Sequence, residues 1–258
     1  MGTLRPNMLG RVGLLAILAL TVGCQGLQNG DQAWVKPDST APMAGNVYLV
    51  RGLIGVFSTG MDQLAGKLTS QGVRANVFQD AQEHALADWI VRAYKVEPRH
   101  EPLVLIGHSY GADDVVRVAR KLNENNIKVD LLITVDATTP PSVPGNVVVC
   151  YNYYQSAPLT DGIPMFRGIP LTLDPGASTK LVNIDLRKDR TDLLEPGTNH
   201  INIDKNVLLH RVVVDQVMGV CPPRDVWVTR QNTPPQARQA ADVQPPVDSR
   251  RVDAQTHN

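Results

Sequence analysis

The chain has 258 residues, with 25 Lys plus Arg balanced by 25 Asp plus Glu. This length is enough for one large domain with a substantial core. Because the balanced charge gives no overall field to attract nucleic acid or an anionic surface, we expect no nucleic-acid partner, and any ligand must be inferred from a particular site.

The first 24 residues have the features of an export signal. Two arginines precede an apolar run at residues 12–22, which is too short to span a membrane and suits a secretory signal. The run ends in LTVGC at residues 20–24, which resembles the lipobox of bacterial lipoproteins. This resemblance implies cleavage before Cys24, lipidation of that cysteine and, with Gln25 after it, an envelope protein anchored to the outer membrane and facing the periplasm. A plain cleaved signal and an uncleaved anchor are the alternatives.

Polar, proline-containing sequence flanks the central part of the chain. Residues 25–44 have no hydrophobic periodicity and are predicted to be a flexible tether. Residues 221–258 contain six prolines and are predicted to be a largely disordered tail. The folded domain is therefore expected over residues 45–220. Apart from Cys24 the chain has Cys150 and Cys221, for which a disulfide and two free thiols are both open.

Within residues 45–220, short β-branched runs alternate with amphipathic stretches, which predicts a parallel sheet with helices on its faces. The predicted strands cover residues 46–50, 73–78, 103–106, 129–135, 146–151 and 180–186. The predicted helices cover residues 60–70, 81–96, 110–123 and 203–218, with a short or absent one near Pro141. Thr59 and Asp62 have the spacing of a capping box at the first helix.

The sequence GHSYG at residues 107–111 lies between the third strand and the third helix. In that context G-x-S-x-G predicts a nucleophile elbow, a strained corner from which the serine oxygen projects above the sheet. Gly107 and Gly111 lack the side chains that would collide with the neighbouring strand and helix. Ser109 is therefore the candidate nucleophile, and a glycine-rich turn without chemistry is the alternative.

A nucleophilic serine needs a base, and the base needs an acid that orients it. Of six histidines, His200 is the one in a loop between the last strand and the last helix, and it is the candidate base. Asp136 ends the strand that follows the elbow helix and is the leading candidate for the acid. Asp161, after the next strand, is the alternative. Asp113 and Asp114 are expected to stabilise the N-terminus of the elbow helix.

The oxyanion that forms during acyl transfer needs two N–H donors. Tyr110, directly after the nucleophile, is expected to supply one. The loop after the first strand, VRGLIG at residues 50–55, is expected to supply the other from Leu53. A plain glycine-rich turn is the alternative for this loop.

With these residues in place, residues 45–220 resemble the α/β-hydrolase fold, in a compact lipase-like or thioesterase-like branch. The resemblance rests on GHSYG, on the chain order Ser109, Asp136, His200 and on VRGLIG. It implies a three-layer α/β fold whose mostly parallel sheet has about six strands flanked by helices. It also implies hydrolysis of a small-molecule or lipid ester through an acyl-serine intermediate, with no metal or organic cofactor.

Several alternatives share these features. Thioesterases, acyltransferases and peptidases use the same triad, and a non-enzymatic envelope lipoprotein that keeps the fold for binding is a further alternative. Residues 155–178 include a proline-broken apolar loop, which suits a lid, an acyl-binding wall or an ordinary packed loop.

Overall fold

The computed structural model describes residue 35 and residues 40–52, 58–96, 100–156 and 167–233, and it contains one six-stranded sheet. The strands are Asn46–Val50 (β1), Arg74–Phe78 (β2), Leu103–His108 (β3), Val129–Val135 (β4), Val147–Tyr154 (β5) and Lys180–Asp185 (β6). All neighbouring strands are parallel, in the order β2-β1-β3-β4-β5-β6. The predicted export signal with Cys24, the predicted oxyanion donor Leu53 and the alternative acid Asp161 lie outside the described residues.

Helices cover both faces of the sheet. They are Gly60–Ser70 (α1), Glu83–Lys95 (α2), Tyr110–Asn123 (α3), Val207–Val220 (α4) and Arg224–Asn232 (α5). Alternate residues of β1 enter two different hydrophobic clusters: Tyr48 packs with α2 and α3, whereas Leu49 packs with α1 and α4. Because successive strand side chains point to opposite faces, an entirely apolar strand is buried on both sides, which gives the three-layer α/β fold.

The strand order creates a crevice at the carboxyl edge of the sheet. From β1 the chain moves to β2 on one side and then returns to β3 on the other side of β1. The connections that leave β1 and β3 therefore run in opposite directions and leave a crevice between them. Ligand sites in open parallel sheets lie where the strand order reverses in this way. Gly52 follows β1 and Ser109 follows β3, so the sequence-predicted oxyanion loop and nucleophile meet there.

All six predicted strands and four predicted helices are present, with differences at their ends. β5 continues to Tyr154, and the last of the predicted helices begins at Val207 because Ile203–Lys205 forms a separate 3₁₀ turn. Asn206 caps that helix by accepting a hydrogen bond from the Leu209 N–H at 2.9 Å. The connection at residues 136–146, all of them described, contains no helix near Pro141.

The predicted capping box at α1 is wrong. The Thr59 side chain makes no capping hydrogen bond, and the Asp62 carboxylate instead pairs with the buried Arg51 guanidinium. The Gly60 N–H donates to Asp204 Oδ2 at 2.7 Å, so a distant carboxylate takes the capping role. The local sequence signal fails because Arg51 engages the Asp62 carboxylate and Asp204 accepts from the Gly60 N–H.

The domain-side ends of the predicted tether and tail, residues 40–44 and 221–233, are ordered and pack against each other. The Ala44 N–H donates to the Pro222 carbonyl at 2.8 Å, and Met43 forms a β-bridge with Pro223. Arg224 pairs with Glu101, which is 0% exposed, at 2.5 Å. A buried carboxylate requires a charged partner, and here a proline-rich segment that was predicted to be disordered supplies it. The domain therefore extends at least from residue 41 to residue 233.

The two cysteines of the domain are buried free thiols. Cys150 packs in the cluster on the α2 and α3 face, and Cys221 packs in the cluster on the opposite face. The sheet therefore keeps them apart, and burial raises the pKa of each thiol to about 12. Among the helices of the described ranges, none is both long and apolar enough to span a membrane.

Candidate active site

Ser109 stands at a strained corner between β3 and α3. Its backbone has φ 57° and ψ −125°, a conformation that non-glycine residues rarely adopt. A Cβ on Gly107 would lie 2.1 Å from the Gly111 carbonyl oxygen, and one on Gly111 would lie 2.3 Å from the Arg51 carbonyl oxygen. Both flanking positions therefore require glycine, because the elbow, β1 and α3 meet backbone to backbone.

His200 reaches the serine from the loop between β6 and α4. Its Nε2 lies 2.9 Å from Ser109 Oγ, and its Nδ1 lies 3.3 Å from Asp136 Oδ2. Since Nδ1 faces a carboxylate, it carries the ring proton, and Nε2 is left to accept from the serine hydroxyl. The Nδ1 contact is longer than an optimal hydrogen bond, as is common in serine triads before substrate binds.

Asp136 directly follows β4 and is 1% exposed. It has a positive φ of 48°, which turns its side chain back over the carboxyl edge of the sheet. Ser109, His200 and Asp136 come from three separate segments, and the structure brings all three together. A parallel sheet in this strand order, with a serine at a strained strand-to-helix turn and its partners in the chain order Ser, Asp, His, defines one fold.

The chain has the α/β-hydrolase fold.

Solved structures of this fold are similar to the chain at low sequence identity. The thioesterase domain NocB of the nocardicin cluster is 16% identical, with 66% of this chain covering 94% of that domain at a TM-score of 0.36. Human thioesterase 2 is 13% identical, and the match covers 70% of this chain and 99% of that one at a TM-score of 0.38. A putative α/β-superfamily hydrolase from Xanthomonas campestris is 14% identical, and the match covers 68% of this chain and 99% of that one at a TM-score of 0.39. The chain matches no protein-family model and no curated protein.

The loop after β1, which is predicted to supply an oxyanion donor, lies directly beside the serine. A Cβ on Gly52 would be 2.9 Å from Ser109 Cβ, so the backbone of the loop passes against the nucleophile. Tyr110 is the first residue of α3, so its N–H has no acceptor in a preceding helical turn. Leu53, the other expected donor, lies outside the described residues.

Asp136, the predicted acid, has a partner that the sequence did not indicate. Gln155 donates from its backbone N–H to Asp136 Oδ1 at 2.7 Å and from its side-chain amide to Oδ2 at 2.9 Å. Gln155 directly follows β5, which is the neighbour of β4 in the sheet. The rule that parallel strands end at one edge would have placed it beside Asp136, but an amide carries no catalytic signature of its own.

The loop before β6 closes over the acid. A Cβ on Gly168 would lie 2.2 Å from Asp136 Oδ1, so only glycine fits there. The Ile169 N–H donates to the Ala137 carbonyl at 3.1 Å, and Arg167 Nε donates to the Thr138 carbonyl at 3.3 Å. Residues 167–178 of the predicted insertion are therefore a packed loop in this structure. Residues 157–166, where Asp161 lies, are outside the described residues.

A row of polar side chains holds this loop in position. Thr134, Asn152 and Asn183 lie opposite one another on β4, β5 and β6. Thr134 Oγ1 donates to Asn152 Oδ1, and Asn152 Nδ2 donates to Asn183 Oδ1, each at 2.8 Å. Asn152 also donates to the Ile169 carbonyl, and Asn183 bonds the Leu171 backbone in both directions. Because residues 169–171 lie in neither a helix nor a strand, the two Asn side chains satisfy the Ile169 carbonyl and the Leu171 N–H and carbonyl.

Asp113 lies in the first turn of α3, as predicted, and its carboxylate also has partners outside the helix. It is buried and accepts hydrogen bonds from the backbone N–H and the hydroxyl of both Thr138 and Thr139. It therefore ties the elbow helix to the loop that follows Asp136. Asp114 is also buried and pairs with Arg117 at 2.7 Å, and burial raises the pKa of Asp114 to about 6.

His108, the second residue of the elbow motif, is buried beside the base. Its Nε2 lies 2.9 Å from the His200 carbonyl oxygen and its Nδ1 lies 2.8 Å from Ser58 Oγ. Burial, and then the neighbouring His200, lower the pKa of His108 to about 4. The ring is therefore neutral at neutral pH.

Proposed function

We propose that this protein is a serine hydrolase that cleaves carboxylic esters through an acyl intermediate on Ser109. The observation that carries the proposal is the contact of 2.9 Å between Ser109 Oγ and His200 Nε2, made by a ring whose other nitrogen faces a buried carboxylate. A serine hydroxyl becomes a useful nucleophile when a base oriented in this way accepts its proton.

In the proposed reaction Ser109 attacks the ester carbonyl while His200 takes the hydroxyl proton. Asp136 keeps the ring in the tautomer with Nε2 free and stabilises the imidazolium that forms. The oxyanion accepts hydrogen bonds from the N–H of Tyr110 and, in this proposal, of Leu53. His200 then protonates the leaving alcohol, and water, activated by the same ring, releases the acid and restores the serine.

The proposed substrate is a small-molecule or lipid ester. We also propose that lipidation of Cys24 anchors the protein to the outer membrane of a bacterial envelope, with the domain in the periplasm, where tethering would concentrate it near lipid esters. Loss of the protein from membranes in Cys24→Ser would support this anchor. Retention in membranes would contradict it.

Turnover of p-nitrophenyl esters of increasing acyl length, measured on the purified full chain, tests the proposed activity. Ser109→Ala and His200→Ala should abolish turnover without lowering the melting temperature, whereas Ser70→Ala, an exposed serine on α1, should match the wild type. Comparison of an oxygen ester with the thioester of the same acyl chain decides between esterase and thioesterase. Absence of turnover of either by the folded wild type would favour a binding protein.

The identity of the acid is tested separately. Asp136→Asn should lower kcat on the order of a thousandfold or more, because the amide no longer fixes the productive tautomer of His200. Asp161→Asn should leave kcat unchanged. Full activity in Asp136→Asn together with loss in Asp161→Asn would transfer the role to Asp161.

A further inference from the structure

We infer that His108 and Ser58 are positioning residues, which together hold the loop of the base and the oxyanion loop in fixed relation to the nucleophile elbow. The inference rests on the proposed function of Ser109 and His200. It adds two residues that contact neither the reacting atoms nor the substrate, and it gives a role to the second residue of the elbow motif. His108 and Ser58 are called the relay below.

The hydrogen bonds of the relay run in one direction. His108 Nε2 faces the His200 carbonyl oxygen at 2.9 Å, so this nitrogen carries the proton and donates it. Nδ1 is then an acceptor, and the Ser58 hydroxyl donates to it at 2.8 Å. Ser58 Oγ in turn accepts from the Gly52 N–H at 3.0 Å. One neutral imidazole thus joins the backbones of Gly52 and His200.

Both ends of the relay are backbone groups next to catalytic atoms. The His200 carbonyl belongs to the residue whose ring abstracts the proton, so a fixed carbonyl limits movement of that ring. Gly52 directly precedes Leu53, the proposed second oxyanion donor, and its backbone lies against Ser109. An error of about 1 Å in such placement can cost a hundredfold in rate.

The surroundings of the relay suit a fixed, uncharged connector. His108 and Ser58 are each 2% exposed, so water does not compete for their hydrogen bonds. The centroids of the His108 and His200 rings are 5.5 Å apart. Because the lowered pKa of about 4 keeps His108 neutral, it does not repel the imidazolium that forms on His200 during turnover.

The two nitrogens of His108 can be tested one at a time. In His108→Gln the side-chain amide can reach the position of Nε2 and donate to the His200 carbonyl. In His108→Asn the amide reaches only the position of Nδ1, where its oxygen can accept from Ser58, and the bond to His200 is lost. Ser58→Ala leaves that bond intact and removes the acceptor of the Gly52 N–H.

The experiment measures kcat, KM and the rate of fluorophosphonate labelling of Ser109 for these three variants of the full chain. His108→Asn should lower kcat and the labelling rate on the order of a hundredfold with KM nearly unchanged, because loss of positioning affects the transition state. His108→Gln should recover most of this loss. Ser58→Ala should lower both rates on the order of tenfold.

Thr179→Val is the matched control. Thr179 is also buried, and its hydroxyl donates to the Pro144 carbonyl at 2.9 Å, but it lies just before β6 and therefore at the opposite edge of the sheet. Its loss should lower the melting temperature about as much as Ser58→Ala while kcat stays at the wild-type value. If the relay has a purely structural role, Ser58→Ala will behave like Thr179→Val, with a lower melting temperature and a wild-type kcat.

Wild-type kcat and labelling rates in Ser58→Ala and in the folded His108 variants would overturn the inference. If His108→Asn does not fold, Ser58→Ala decides alone, since its smaller change leaves the ring in place. A wild-type protein that is folded but is neither labelled at Ser109 nor active on esters would contradict the proposed function instead. The two failures are therefore distinguishable.

Discussion

Gln155 encloses the carboxylate of Asp136 with two hydrogen bonds, of 2.7 Å from its backbone N–H and 2.9 Å from its side-chain amide. The backbone bond survives any substitution at this position, whereas the side-chain bond does not. Arg187 lies behind the amide, with its guanidinium 3.3 Å from Gln155 Oε1. The charge of the acid is therefore held in place from β5 and from the segment after β6.

Gln155→Leu should destabilise the fold by about 1–3 kcal/mol, because Oδ2 of the buried Asp136 carboxylate loses its shorter hydrogen bond and keeps only the 3.3 Å contact with His200 Nδ1. We also expect kcat to fall on the order of tenfold, since the acid that orients His200 is less fixed. Urea unfolding and ester turnover measure the two effects. Gln63→Leu, on the exposed side of α1, is the control and should change neither quantity. Unchanged stability and turnover in Gln155→Leu would contradict this role.

Gly168→Ala should lower both stability and kcat. The new Cβ would lie 2.2 Å from Asp136 Oδ1, so either the loop or the acid must move. Gly66→Ala is the matched control, because nothing lies within 4 Å of a Cβ at that position in α1. Ala there should stabilise the protein by about 0.5–1 kcal/mol and leave kcat unchanged. Wild-type kinetics in folded Gly168→Ala would show that this loop does not hold the acid.

Asp204 makes the stability of the wild type depend on pH. Burial raises its pKa from 3.8 to about 6, so between these values the native state binds more protons than the unfolded state. This contribution to stability is present below pH 3.8 and is lost as pH rises through 6.

Asp204→Asn keeps an acceptor for the Gly60 N–H but cannot ionise. The stability of this variant relative to wild type should therefore rise between about pH 4 and pH 6, by on the order of 2 kcal/mol. Urea unfolding of both proteins across this range measures the difference and cancels the other titrating groups. A difference that does not vary with pH would contradict the raised pKa.

Arg224→Ala should destabilise the domain by about 3 kcal/mol, because Glu101 is left buried without its charged partner. Truncation after residue 233 keeps this pair, and truncation after residue 220 removes it. The first should leave the melting temperature unchanged and the second should lower it strongly. Equal melting temperatures for the two truncations would contradict the contact between the N-terminal and C-terminal segments.

Patterns that act through the whole sheet were the most predictable from the sequence. Nearly continuous apolar runs predicted β1, β3 and β4, which are buried on both faces. GHSYG predicted the strained corner because two of its positions admit only glycine. The placement of His200 and Asp136 followed from the rule that parallel strands end at a common edge. These features depend on geometry that every sheet of this kind shares.

The missed features depend on individual tertiary partners. Gln155 and Asn183 are amides whose roles appear only when the strands are placed side by side. Arg224 lies in a proline-rich segment whose composition favours disorder, and its order comes from one buried carboxylate. Asp62 has the spacing of a capping residue, but its carboxylate forms an ion pair with Arg51 instead. A sequence pattern cannot reveal which of several available partners a polar group will choose.

Fluorophosphonate labelling of the purified full chain, followed by peptide mass mapping, tests whether His200 activates Ser109 as a nucleophile. The reagent reacts with an activated serine and needs no knowledge of the substrate. If Ser109 is activated by His200, one residue, Ser109, is modified, and labelling is lost in His200→Ala. A folded protein that is not labelled, or labelling of Ser109 that is undiminished in His200→Ala, would contradict this activation.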